Sequence, residues 1–123
     1  MTLKHDEETY IAIPCPFPGR IQSLECRSLS GERKTFGRKI PWLLRRNTRE
    51  FLVTESILDS LAGDIYFGPL SSSLCAINGT PNVKWLEAII DAYSPRKMLL
   101  ALDNDSAGKE ATEKAKEILN GKN

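Results

Sequence analysis

The chain reads as an α/β protein, a parallel β-sheet with flanking helices preceded by a small antiparallel β-rich segment. Three observations predict this. From residue 50 onward, apolar runs of strand length alternate with helical patterns, and parallel strands need such crossover helices. Before residue 50 no helical period is sustained. There, short runs are punctuated by Pro and Gly, the signals of strands and turns. A chain of 123 residues holds one domain with at most a small extension. The change of pattern divides it into a β-rich basic segment, 1–49, and an α/β domain, 50–123.

The first half is justified element by element. Tyr10 to Ile13 is an apolar run broken by Pro14, Pro16 and Pro18. Proline cannot donate to a ladder, so this strand ends early or lies on an edge. Pro18-Gly19 signals a turn. Arg20 to Arg27 is strand-like with imperfect alternation, Ser30-Gly31-Glu32 turns again, and Arg33 to Phe36 pairs back. Ile40 to Arg49 is ambiguous, with Pro41 suited to the first turn of a short helix.

The second half is more regular. Phe51 to Thr54 is a buried-strand pattern, and a helix follows from about Ser56. Ser73 to Ile77 is the next strand, closed by Asn78-Gly79. Thr80-Pro81 opens a helix, Thr as N-cap and Pro at the first helical position. It runs to about Tyr93 with Val83, Leu86, Ile89 and Ile90 on one face, and Ser94-Pro95 stops it. Met98 to Leu102 is the most apolar strand. The last helix runs from about Ala107 to Leu119, its apolar positions Ala107, Ala111, Ala115, Ile118 and Leu119 keeping helical spacing. Asn120-Gly121 suits its C-cap.

Composition excludes several classes. Hydrophobic residues at 41% and charged residues at 27% are ordinary for a globular protein. No apolar run approaches the ~20 residues that span a bilayer. The polar, acidic start (Met1 to Glu8) is no secretory signal. A cytoplasmic protein without a membrane partner is expected. Cys15, Cys26 and Cys75 are odd in number and widely spaced, against a zinc knuckle or a disulfide framework. They read as reduced, partly buried thiols. The single histidine, His5, lies in an expected solvated tail, which disfavours Ser-His-Asp and Cys-His chemistry.

The net charge of +1 is unevenly spread. Residues 27–49 hold eight bases (Arg27, Arg33, Lys34, Arg38, Lys39, Arg45, Arg46 and Arg49) against one acid, Glu32, a charge of +7. The remainder carries −6. A basic segment interleaved with Phe36 and Trp42 suits a phosphate backbone of DNA or RNA, whereas a solvated charged hairpin is the plainer alternative. Trp42 and Trp85 themselves read as packing residues.

The carboxylates carry the chemistry. Glu55 follows the Phe51–Thr54 run, and Asp103 and Asp105 follow the Met98–Leu102 run. In a parallel sheet both sets emerge at the carboxyl edge of the strands, where ligands bind. Residues two apart in an extended chain point the same way, so both aspartates can face one ion. Such hard oxygen donors suit Mg²⁺ or Mn²⁺, and phosphoryl transfer uses such ions to hold phosphate oxygens. Asp59 is divided between a capping-box acid after Ser56 and a supporting ligand. Asp103-Asn104-Asp105 has a competing reading as a polar turn before a helix. Gly108 lets backbone approach a ligand. Ser106 can cap the last helix, whose N-terminus favours a phosphate oxygen.

These two motifs, Val53-Thr54-Glu55-Ser56 with Asp59 and Asp103-Asn104-Asp105-Ser106-Ala107-Gly108, resemble the Toprim domain of primases, topoisomerases and several nucleases. The resemblance covers about residues 50–120. Asn78-Gly79-Thr80 is similar to the Gly-containing turn that primases place between the motifs. Residues 9–44 resemble the segment that precedes Toprim in DnaG-type primases. The overall likeness is to primase-like proteins of phages and mobile elements. It implies catalytic Glu55, Asp103 and Asp105, with Asp59 helping to hold Mg²⁺ or Mn²⁺. It implies nucleic-acid contacts from the basic residues and backbone support for phosphate from Gly79, Thr80, Ser106 and Gly108. Nucleoside triphosphates, and a helicase or other replication proteins, are the implied partners. Ser56 stands where primases usually have Gly, and Ser106 where they often have Arg or Glu. The chain stops after the last helix, and no zinc module precedes the core. A fragment, a reduced protein or one part of a larger machine is therefore expected. The alternatives are a Toprim nuclease and a non-catalytic nucleic-acid-binding module. A phosphatase or receiver domain leaves Glu55 and the basic segment unexplained.

Overall fold

The structure, a computed structural model, describes residues 1–6, 8–15, 20–67 and 72–121. The expected turn at Pro18-Gly19, with Pro16, lies outside them. The chain divides into two compact units, Met1–Trp42 and Leu43–Asn123.

The first unit is a four-stranded antiparallel meander, β1 (Thr2–His5), β2 (Glu8–Cys15), β3 (Ser23–Ser28) and β4 (Arg33–Gly37), in spatial order 1-2-3-4. The meander is as expected, but its first strand is not. The polar run Thr2-Leu3-Lys4-His5 pairs with β2 rather than trailing in solvent. His5 is half-buried, its ring edge-on to Phe36 at 5.2 Å. Pro14 neither ends β2 nor makes it an edge along its whole length. β1 reaches only as far as Ile11, while Pro14 pairs with Leu24 of β3. The proline thus sits where the strand has one partner and needs no second donor. Tyr10, Ala12 and Cys26 form the core of this sheet, with Leu3, Leu24 and Phe36 against them.

The second unit holds β5 (Trp42–Leu44, the unit boundary falling within it), β6 (Glu50–Thr54), α1 (Ile57–Phe67), β7 (Ser73–Ala76), a 3₁₀ helix (Thr80–Trp85), α2 (Leu86–Tyr93), β8 (Lys97–Ala101) and α3 (Ser106–Asn120). Residues 40–49 contain no helix. Instead, Trp42–Leu44 adds a strand beside β7, since the residue before Pro41 favours extended backbone and buried Leu43 follows it. Residues 43–49, grouped by composition with the basic segment, therefore fold with the second unit.

The sheet order is β5-β7-β6-β8, with β7 and β8 each parallel to β6. From β6 the chain crosses through α1 to β7 on one side. It then crosses back over β6, through the 3₁₀ helix and α2, to β8 on the other. Right-handed crossovers running in opposite directions place their helices on opposite faces. Accordingly α1 packs on β6 and β7, and the 3₁₀ helix, α2 and α3 pack together. Phe51, Val53, Leu74, Cys75, Ile77, Leu86 and Ile89 are almost fully buried.

Helix starts differ from expectation in two places. The segment at Thr80 begins as a 3₁₀ helix capped by Gly79, without a side-chain cap bond. Asn82 Nδ2 donates to Ile77 O at 2.9 Å, tying this turn to the end of β7. The N-cap of α3 is Asp105 rather than Ser106, which is the first helical residue.

Candidate metal and phosphate site

The direction of chain crossing reverses between β6 and β8, which makes their carboxyl ends the switch point of the sheet, the place where ligands settle in open α/β folds. Glu55 leaves β6 there, and Asp103 follows β8. The Asp103 backbone N–H donates to Glu55 Oε1 at 3.1 Å, so the two motifs meet directly across 48 residues of sequence.

The turn that holds Glu55 is tightly built. Buried Thr54 donates its hydroxyl to Ser56 O at 2.9 Å and shares a 2.6 Å bond with the Ser60 hydroxyl. Ser56 Oγ accepts from the Asp59 N–H at 3.2 Å, capping α1. Asn78, with φ 57°, donates its N–H to Glu55 O at 2.8 Å. Gly79 follows at φ 119°, a conformation that only glycine adopts cheaply. Thr54 and Asn78 stand within sequence motifs without a role of their own there, and Ser60, inside α1, is not singled out by the sequence.

Asp105 Oδ1 accepts the Gly108 N–H at 2.7 Å. Gly108 is packed so closely that a Cβ there would lie 1.9 Å from Asp103 O and 2.8 Å from Glu55 Oε1. This glycine serves the contact between α3 and the two acidic turns. Asp103 and Asp105 lie past the end of β8, so they are not a simple pair on one strand face. One oxygen of Asp105 is engaged by the helix cap.

Burial pushes the Glu55 carboxyl above its usual range. The Asp103 N–H pulls it back, and the negative charges of Asp103 and then Asp105 raise it further. Among the described residues no cation pairs with these carboxylates, and an all-oxygen donor set of this kind suits a hard divalent cation. Among the described residues, no three His, Cys, Asp or Glu side chains converge as a ready ligand set. The fit is one of chemistry and proximity. Asp59 lies exposed in the first turn of α1.

The basic residues separate between the units. Arg27 on β3 stands directly opposite Arg33 on β4, and like charges directly opposite destabilise a sheet unless an anion lies between them. Lys34 is on β4, and Arg38 and Lys39 follow it. Glu32, the acid of this stretch, accepts the Tyr10 hydroxyl at 2.9 Å. In the second unit, Arg46 is bonded through both terminal nitrogens to Asp64 of α1 and donates to Ser72 O. That pairing makes Arg46 a tie between the segment after β5 and α1 rather than an open phosphate ligand. Arg45 is exposed, its guanidinium 4.2 Å above the Tyr93 ring.

Comparison with known proteins gives a consistent picture. The Toprim-like family model matches residues 52–123. The primase fragment of the bacteriophage T7 primase-helicase protein is similar in structure, with a TM-score of 0.69 and 22% identity over 95% of this chain. A T7 complex of lagging-strand DNA polymerase with primase domains bound to an RNA/DNA hybrid and dTTP gives a TM-score of 0.64 and 21% identity over 95% of this chain. The chain spans 52% and 64% of those two chains. No curated protein matches it.

Proposed function

This chain belongs to the Toprim-like family, and from that premise we propose that it performs metal-dependent phosphoryl transfer on nucleic acid, as a primase-like nucleotidyltransferase in DNA replication. The observation that carries the proposal is the bond from the Asp103 N–H to Glu55 at the switch point. It joins two acidic turns at the edge where this fold class binds ligands.

In this reading Glu55 and Asp103 hold Mg²⁺ or Mn²⁺, with Asp105 lending its second oxygen and Asp59 supporting from α1. The cation, when bound, gathers phosphate oxygens and stabilises the leaving oxygen. The chain's own groups do the positioning. Asp103 N–H fixes one Glu55 oxygen, leaving the carboxylate a defined orientation. Gly108 keeps α3 close to both acidic turns. The α3 N-terminus with Ser106, and the Gly79-Thr80 turn, offer backbone N–H groups to phosphate. Arg27, Arg33, Lys34, Arg38 and Lys39 of the first unit contact template or primer phosphates, with the opposed Arg27 and Arg33 as the strongest support. DNA or RNA and nucleoside triphosphates are the substrates, and a helicase is the natural partner, as in the relative whose name joins primase and helicase.

The test is incubation of the full chain with single-stranded DNA, labelled nucleoside triphosphates and Mn²⁺. Labelled oligonucleotides from wild type and none from Asp103→Ala support the proposal. Cleavage of labelled DNA or RNA without synthesis would move the assignment to a Toprim nuclease. Metal-independent binding without either reaction would leave a binding module.

A further inference from the structure

The opposite edge of the same sheet gathers a second group of charges. Arg49 precedes β6, and Lys97 opens β8. Between them, at the end of α2, lie Tyr93 and Ser94, the latter at φ 45°. Arg49 Nε and Nη2 both donate to Ser94 O, at 2.9 and 2.8 Å. Arg49 O in turn accepts the N–H groups of Arg96 at 2.8 Å and Lys97 at 3.4 Å. Arg45 stacks on Tyr93, whose other neighbour is Phe51, with ring centroids 6.3 Å apart. Arg45, Arg49, Arg96 and Lys97 are all exposed. Glu50 lies 3.4 Å from Arg96. Four cations from two stretches of chain, 45–49 and 96–97, thus gather at the end of α2 and the start of β8.

Helix-end capping accounts for Arg49 and stacking for Arg45. Arg96 has its exposed pair with Glu50, which is worth little in water, and neither capping nor stacking accounts for Lys97. We propose that this amino-terminal edge is a nucleic-acid contact distinct from the carboxylate edge, in which Arg45, Arg49, Arg96 and Lys97 bind the phosphate backbone of a single strand. The proposal deepens the nucleic-acid reading above and rests on it. The five residues of β6 or β8 span about 16 Å. At a rise of about 3.4 Å per nucleotide, this edge would hold a strand about five nucleotides from the phosphate at the carboxylates. Planar guanidinium groups suit phosphate oxygens. The contact would be blind to sequence, since backbone contacts position without specifying.

The test is fluorescence anisotropy of labelled single-stranded oligonucleotides, titrated across salt, with the full chain. The double variant R96E/K97E is compared with K114E/K116E, an equal change of charge on α3. The inference predicts weaker binding by R96E/K97E and a log–log salt slope reduced by about 1.4, from two lost single-strand phosphate contacts. K114E/K116E should keep the wild-type slope. If R96E/K97E fails to fold, R96Q/K97Q should show the same loss of slope. Equal losses in both double variants, or an unchanged slope in R96E/K97E, would overturn the inference. Selective loss in R96E/K97E supports it even if no metal-dependent synthesis is found, so the edge contact and the catalytic reading fail separately.

Discussion

Asp105 answers two demands with one carboxylate. Its Oδ1 caps α3 through the Gly108 N–H, and its charge helps to raise Glu55. These roles separate by substitution. Asparagine caps a helix about as well as aspartate, whereas alanine costs about 0.5–2 kcal/mol. Asp105→Asn should therefore keep wild-type stability in urea unfolding, and Asp105→Ala should lose about that amount. Both should weaken Mn²⁺ binding. Full Mn²⁺ affinity in Asp105→Asn would confine the residue to capping. The sequence showed an acid beside a helix start, and either role fitted. It could not show that Ser106 leaves the cap to its neighbour, because that choice depends on where β8 ends.

At the scale of elements, the segment after β5 is tied to α1 through Arg46 and Asp64, whose side chains are 16% and 14% exposed. Mostly buried partners make this pair costly to break. The Arg46 guanidinium holds the Asp64 carboxyl below the usual aspartate range. A depressed folded-state pKa gives stability that is present above the unfolded value, ~3.9, and lost as pH falls through the folded value. Wild type should therefore lose stability in acid more steeply than Asp64→Asn, which should be destabilised at neutral pH. Parallel curves for the two proteins from neutral to acid pH would show that the pair contributes no pH-linked stability.

This tie also shows why some elements were legible and others were not. β6, β8 and α3 declare themselves by apolar runs or helical spacing that are complete within a few residues. β5 is three residues long and is a strand only because β7 lies beside it. β1 has no apolar alternation beyond Leu3 and exists through pairing with β2. Arg46 looked like one base among eight, because its partner lies 18 residues away on another element. The carboxylate site was legible as two motifs. Their meeting at the switch point depends on sheet order, which no local pattern encodes.

At the scale of the molecule, the two compact units each carry buried thiols: Cys15 and Cys26 in the first, Cys75 in the second, all at most 2% exposed. Burial pushes the Cys75 thiol up to about 12 and raises Cys26 as well. The thiolate is the reactive form. A thiol reagent at mildly alkaline pH should therefore modify none of the three in the folded protein and all three after denaturation. Labelling at intermediate denaturant, located by mass spectrometry, should report whether the units open separately. Rapid labelling of Cys75 in native buffer would contradict the packing of β7.

The central claim is that the two acidic turns form one metal site. Its most direct test is thermal unfolding of wild type and Asp103→Ala, each with and without millimolar Mn²⁺. A ligand that binds only the folded state stabilises it by about 2.7 kcal/mol at a hundredfold excess over Kd. The account predicts a Mn²⁺-dependent rise in wild type that is lost in Asp103→Ala. An equal rise in both proteins, or no rise in wild type, would contradict it.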